Sequence, residues 1–285
     1  NELLQYYVIE RFIYRLSKRD CADRFILKGA LLLSAWNMPM SRPTKDIDLL
    51  GKIGNNQETI VAAVKAICGQ DVVADGLTFD AKSVTATRIT EGAEYKGLRV
   101  RFQGSLGNAR TPLQVDIGFG DVVSPGPCRI SYPTLLDFPS PSMSGYSMES
   151  VSAEKFQAMV KLGVLNSRMK DFYDIWALSR AFDFSGVTLA TAISATFDAR
   201  NTSLPDEPTV FQESFALDTG KEIQWQAFLK RNNLGYSSTS FVEVAAAIKE
   251  FLKPIVSAIT GGRTAKLVWI APGPWRSREE GANKE

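Results

Sequence analysis

From residue 113 to 119, apolar and polar residues alternate without a break: Leu113, Val115, Ile117 and Phe119 interleave with Gln114, Asp116 and Gly118. Successive side chains of a strand point to opposite faces, so this run can bury one face while leaving Asp116 on the other. Residues 84–89 and 98–102 are further clusters of β-formers set between Gly and Pro. Together they predict an antiparallel meander within residues 72–120. A short strand is also expected over residues 46–50.

The rest of the chain carries helical spacing. Residues 6–19 place Val8, Ile9, Phe12, Ile13 and Leu16 on one stripe, which predicts an amphipathic helix. Residues 25–37, ended by Pro39 and Pro43, and residues 56–68 read as further helices. A Pro/Ser-rich stretch at 137–150 shows no periodicity and reads as a linker between two lobes. Beyond it, helices are expected at 152–165 and 170–181 around an Asn166-Ser167 turn, then at 189–197, 209–217, 221–230 and 241–258. The Gly/Pro-rich tail after Gly261 holds one apolar run, 267–270, without an assigned role. The expected class is therefore α+β. Residues 1–140 form a domain with a mixed or antiparallel sheet flanked by helices, and residues 141–285 form a mainly helical domain.

The 285 residues include no histidine. That removes Ser-His-Asp triads, Cys-His pairs and His-rich zinc or non-haem iron centres. Carboxylate, lysine, arginine, serine and tyrosine chemistry remains, and hard oxygen ligands favour magnesium or manganese where a metal is used. Cys21, Cys68 and Cys128 are widely spaced, so neither a zinc site nor a disulfide framework is expected and a reducing cytoplasm is the natural compartment. No signal peptide is visible, and no apolar stretch is long enough to span a bilayer, so no membrane partner is expected. The formal net charge is only +2. Any affinity for nucleic acid must then come from a local basic patch.

On the strand at 46–50, Ile47 and Leu49 face the core while Asp46 and Asp48 share the other face. Two carboxylates held on one face repel unless a positive charge lies between them, and a divalent cation with oxygen ligands supplies it. If the strand bearing Asp116 lies alongside, three carboxylates converge. Phosphoryl and nucleotidyl transfer use such a cluster to hold metals that stabilise the attacking and leaving oxygens. Basic residues near these positions include Arg42, Lys45, Arg99, Arg101, Lys161, Arg168 and Lys170. Arg99 and Arg101 share a strand face and could line a groove for RNA phosphates.

The run Phe25-Ile-Leu-Lys-Gly-Ala-Leu-Leu-Leu through Arg42-Pro-Thr-Lys-Asp-Ile-Asp-Leu-Leu50 resembles the first motif of the AbiEii/AbiGii toxin family of nucleotidyltransferases. That family, related to the MenT-type toxins, lies within the DNA polymerase β-like superfamily. Ala153-Glu-Lys-Phe-Gln-Ala-Met-Val-Lys-Leu-Gly, with Asn166-Ser-Arg-Met-Lys-Asp-Phe-Tyr-Asp174, resembles its second pair of motifs. The matches run through most of residues 25–180, with weaker similarity near 197–208.

The resemblance implies a nucleotidyltransferase lobe and a helical lobe that completes the active site. It makes Asp46, Asp48 and Asp116 the metal ligands. Lys155 would reach the nucleotide phosphates, and Asp174 would be essential with it. Lys28, Gly29, Thr44, Lys45, Arg168, Lys170 and Asp171 would serve NTP binding. The implied activity is that of a toxin of a bacterial toxin–antitoxin or abortive-infection system. It would move NMP from an NTP to RNA, with the tRNA 3′ end a candidate acceptor, opposed by a cognate antitoxin such as an adjacent DNA-binding regulator. A protein acceptor, or nucleotide binding without turnover, are the alternatives. One departure stands out: the superfamily's Gly-Ser is Gly29-Ala30 here, leaving Lys28, Thr44 or Ser34 to replace the missing hydroxyl.

Overall fold

The computed structural model describes residues 2–38, 42–91, 94–234 and 239–277; Pro39, expected to end a helix, lies outside them. The chain forms two compact units, one of Asn1–Asp121 with Pro127–Tyr146, the other of Val122–Gly126 with Ser147–Glu285. The expected α+β class is what the chain adopts.

The first unit contains α1 (Glu2–Ser17), β1 (Phe25–Lys28), α2 (Leu31–Ala35), β2 (Asp46–Gly51), α3 (Gln57–Cys68), β3 (Leu77–Glu91), β4 (Glu94–Leu106), β5 (Ala109–Gly118), β6 (Cys128–Ser131) and β7 (Ser142–Gly145). The strands make one mixed sheet in the order β3-β4-β5-β2-β1-β7-β6. The meander β3-β4-β5 is antiparallel, and β5 then lies parallel to β2. Leu27, Leu49, Ile117 and Leu98 are register partners across four strands and all are buried. Helix α1 covers this apolar face, its Phe12 ring 4.8 Å from Phe102 and 5.6 Å from Phe79. Helix α3, capped by the Asn56 side chain on Thr59 N–H, packs beside α1 and on β3.

Two expectations about this unit are corrected. Residues 25–37 are not one helix. Phe25, Ile26 and Leu27 form a buried strand between β2 and β7, and the chain turns at Gly29 (φ +72°) before the short α2. Nor is 137–150 simply a linker. Its Ser142-Met143-Ser144-Gly145 segment is β7, parallel to β1 and antiparallel to β6, and Met143 is buried.

The second unit contains α4 (Met148–Leu162), α5 (Met169–Ala181), β8 (Phe184–Ser185), α6 (Gly186–Ala199), α7 (Glu213–Ala216), α8 (Thr219–Arg231), α9 (Phe241–Thr260), β9 (Leu267–Trp269) and β10 (Trp275–Ser277). Ser147 caps α4, and a reciprocal Ser240/Glu243 capping box starts α9. The core is aromatic: Phe156 meets Phe197 and Phe211, and Phe172 meets Phe215 and Phe241. The helix expected at 209–217 is a 3-10 turn followed by the single turn α7, because Gln212 between them is extended. The unassigned tail run becomes β9 of a small sheet, β10-β9-β8, where Trp269 packs on Phe251 and donates its indole N–H to the Ser179 carbonyl at 2.6 Å. Among the described residues no helix is long and apolar enough to cross a membrane.

Candidate active site

Sheet register builds the charged row of the first unit. Lys28 of β1 is the partner of Asp48 of β2, Asp48 the partner of Asp116 of β5, and Asp116 the partner of Arg99 of β4. Partners across a ladder project to the same face, so these side chains form one transverse row with charges plus, minus, minus, plus. Asp46 lies two residues along β2 on the same face, opposite Gln114, which in turn opposes Arg101. The Arg101 guanidinium donates to the Gln114 carbonyl at 3.1 Å. Ile47 and Leu49, pointing the other way, are buried.

The row is internally satisfied by specific contacts. Arg99 grips Asp116 with both arms of its fork, at 2.9 and 2.7 Å. That hydrogen-bonded pairing raises the Arg99 pKa, with the nearby Asp46 and Asp48 charges adding to it. Lys28 donates to Asp121 at 2.8 Å and sits 5.5 Å from the Tyr146 ring centroid. The Asp48 carboxylate lies directly against Gly29, where any β-carbon would collide with it. Ala30 is buried and makes no side-chain cap to α2. Of the candidates to replace its missing hydroxyl, Ser34 is bonded to Tyr132, Thr44 reaches the Asp46 carbonyl at 3.4 Å, and Lys28 holds Asp121. Lys45 is exposed.

Among the described residues no group of three or more His, Cys, Asp or Glu side chains is placed to hold a metal ion. The donor chemistry nevertheless fits a hard divalent cation. Asp46, Asp48 and Asp116 supply only carboxylate oxygens, and a guanidinium already answers the negative field they share.

The second unit carries the other sequence motif. Lys155 of α4 points its ammonium at Asp174 (2.7 Å) and Asp171 (3.0 Å) of α5, with side-chain exposures of 12%, 0% and 8% respectively. The ammonium expected to reach phosphates is thus engaged by two buried carboxylates. Arg168 and Lys170, at the start of α5, are exposed. The turn before them is pinned by Lys221, a residue that sequence reading passed over. Its buried ammonium donates to the carbonyls of Val164 (2.7 Å) and Asn166 (2.8 Å), and the Asn166 side chain accepts from Arg168 N–H.

Asp121 and the pairing of Arg99 with Asp116 also went unread. The second was recoverable. Leu106 pairs with Ala109 across the Gly107-Asn108 turn, and counting seven residues away from the turn on each strand sets Arg99 opposite Asp116. No comparable signal marks Asp121, which follows the strand in a loop, or Lys221.

Comparison with known proteins agrees with this architecture. Two Helicobacter pylori crystal structures are similar across nearly the whole chain. One, of a candidate nucleotidyltransferase, is 12% identical with a TM-score of 0.49, covering 92% of this chain and 97% of that one. The other, JHP933, is 13% identical with a TM-score of 0.51, covering 92% and 94%. At this identity JHP933 speaks to the fold alone. No curated protein matches by sequence. The profile of the nucleotidyl transferase AbiEii toxins of type IV toxin–antitoxin systems matches residues 11–250, taking in β1, β2, β5, α4 and α5. The chain is a member of the AbiEii nucleotidyl transferase toxin family.

Proposed function

We propose that this nucleotidyltransferase moves NMP from an NTP to an RNA hydroxyl, the tRNA 3′ end being the candidate acceptor, and so acts as the toxin opposed by a cognate antitoxin. The observation that carries the reading is the register of Asp48 with Asp116 and the shared face of Asp46. In the reaction the acceptor oxygen forms a bond to the α-phosphorus, the bond to the β-phosphate oxygen breaks, and pyrophosphate leaves. A magnesium or manganese ion held by Asp46, Asp48 and Asp116 would supply positive charge against that developing on the phosphoryl oxygens.

This chain's residues have separable parts in that scheme. Gly29 brings backbone against Asp48 and fixes where its carboxylate points. Arg101 and the exposed edge of the same face give the acceptor's phosphates a cationic approach. Arg168 and Lys170 are assigned to the NTP phosphates. Lys155 keeps Asp171 and Asp174 neutralised, holding α5 and those two cations in place. An adjacent DNA-binding regulator is the proposed antitoxin.

Purified protein with magnesium, labelled NTPs and total RNA should yield labelled RNA, and Asp48→Ala should abolish it. Sequencing RNA 3′ ends after induced expression, against an Asp46→Ala control, would identify the acceptor. Label appearing in protein and not in RNA overturns the choice of acceptor. Label in neither, with either metal, overturns the transfer.

A further inference from the structure

We propose that Arg99 competes with the divalent cation for Asp116, so that the strength of the Arg99–Asp116 pair sets how readily the site takes up metal. This rests on the assignment of Asp46, Asp48 and Asp116 as the metal-holding residues.

A guanidinium presents parallel N–H donors that match the two oxygens of one carboxylate, and Arg99 uses Nε and an Nη to engage both oxygens of Asp116. The pair is built into the sheet. The two residues are register partners on adjacent strands, so their approach is fixed by the β4-β5 hairpin and needs no loop to close. Arg99 also answers charge beyond its own partner, since Asp46 and Asp48 act on it as well. It therefore occupies the place in the electrostatics of this face that a bound cation would take.

A dication entering the same cluster meets two costs. Asp116 must give up at least part of its bidentate bond to Arg99, and the guanidinium charge opposes the ion at short range. Both disappear when Arg99 is made neutral. The Arg99 and Asp116 side chains are 35% and 19% exposed, so solvent screens the interaction and the arginine has room to swing outward. The consequence is a graded threshold: metal binds when its gain exceeds the lost ion pair.

Mn2+ binding to the full chain, followed by electron paramagnetic resonance of the free ion without nucleotide, tests this directly. Arg99→Gln should bind Mn2+ more tightly than the wild type, by about five-fold for a partly exposed pair. Arg99→Lys keeps the charge without the fork and should fall between them. Arg110→Gln removes the same charge at the far end of β5 and should match the wild type. Thermal melting gives a second reading. Arg99→Gln should melt lower than wild type in chelator and gain more from added Mn2+, because Asp116 then loses its guanidinium partner. Equal or weaker Mn2+ binding by Arg99→Gln overturns the proposal. Asp48→Asn separates the two levels of inference. If it loses Mn2+ binding while Arg99→Gln matches wild type, only the competition fails. If it binds like wild type, the metal assignment fails and the competition with it.

Discussion

Gly29 and Asp48 occupy space that only a glycine can share, because the Asp48 carboxylate rests where a β-carbon of residue 29 would be. The positive φ of Gly29, +72°, adds a second reason, since other residues pay about 1–2 kcal/mol in that region. Gly29→Ala should therefore do two things. It should lower stability by about 2 kcal/mol or more, read by urea denaturation. It should also displace the Asp48 carboxylate, so that Mn2+ affinity falls toward that of Asp48→Asn even where the variant remains folded. Wild-type affinity in folded Gly29→Ala would show that Asp48 does not depend on this contact.

The buried cluster at the base of α1 predicts an acid limb in stability. Burial alone would raise the Asp75 pKa, but hydrogen bonds from Arg15, Arg11 and the Leu77 amide, with the Arg15 charge, hold it down to about 2. A carboxyl depressed in the folded state stabilises above its unfolded pKa of about 3.9, and that stability is lost as pH falls toward the folded value. Melting temperature should thus decline between roughly pH 4 and pH 2. Asp75→Asn leaves Arg15 buried without its anion and Arg11 with Glu10 alone, 3.8 Å away, and should cost about 3 kcal/mol at neutral pH. The gap between variant and wild type should narrow across the acid window. A constant gap from pH 7 to 2 would contradict the assignment.

Much of this arrangement was legible in the sequence, for a definable reason. Asp46, Asp48 and Asp116 sit on strands whose opposite faces are apolar beside them, at Ile47, Leu49, Val115 and Ile117, so period-two alternation alone gave them a common kind of face. What alternation cannot supply is the neighbour. The parallel pairing of β2 with β5 arises from contacts between segments far apart in the chain, and so does the shelter that makes β1 a strand. Phe25-Ile26-Leu27 is too short an apolar run to separate a buried strand from a helix turn. Serine-rich β7 has little β-propensity of its own; it is a strand because β1 and β6 offer it ladders.

Lys221 tests whether the turn before α5 needs a clamp. Its ammonium holds two main-chain carbonyls of that turn and lies 5.1 Å from the Phe215 ring centroid. Lys221→Met keeps the stem and deletes the donors. Hydrogen bonds to a charged group are worth about 1.5–3 kcal/mol, so a loss of about 3 kcal/mol is expected. Faster amide exchange should be confined to residues 163–170. Uniformly faster exchange through the whole second unit would instead mean that Lys221 supports the fold at large.

The Lys155 triad separates a structural contribution from a chemical one. Asp174 is fully buried against the Lys155 ammonium, so Lys155→Met removes the cation that faces a buried carboxylate and should cost about 3 kcal/mol. Removing the two carboxylate charges as well, in Lys155→Met/Asp171→Asn/Asp174→Asn, should restore most of that loss, because a neutral triad no longer buries charge facing the missing ammonium. Transfer activity then discriminates between two roles. If Lys155 acts only by holding α5, the triple variant regains activity along with its melting temperature. If any of the three side chains also meets the nucleotide, stability returns and NMP transfer does not. The present geometry, with both carboxylates closed on the ammonium, predicts the first outcome.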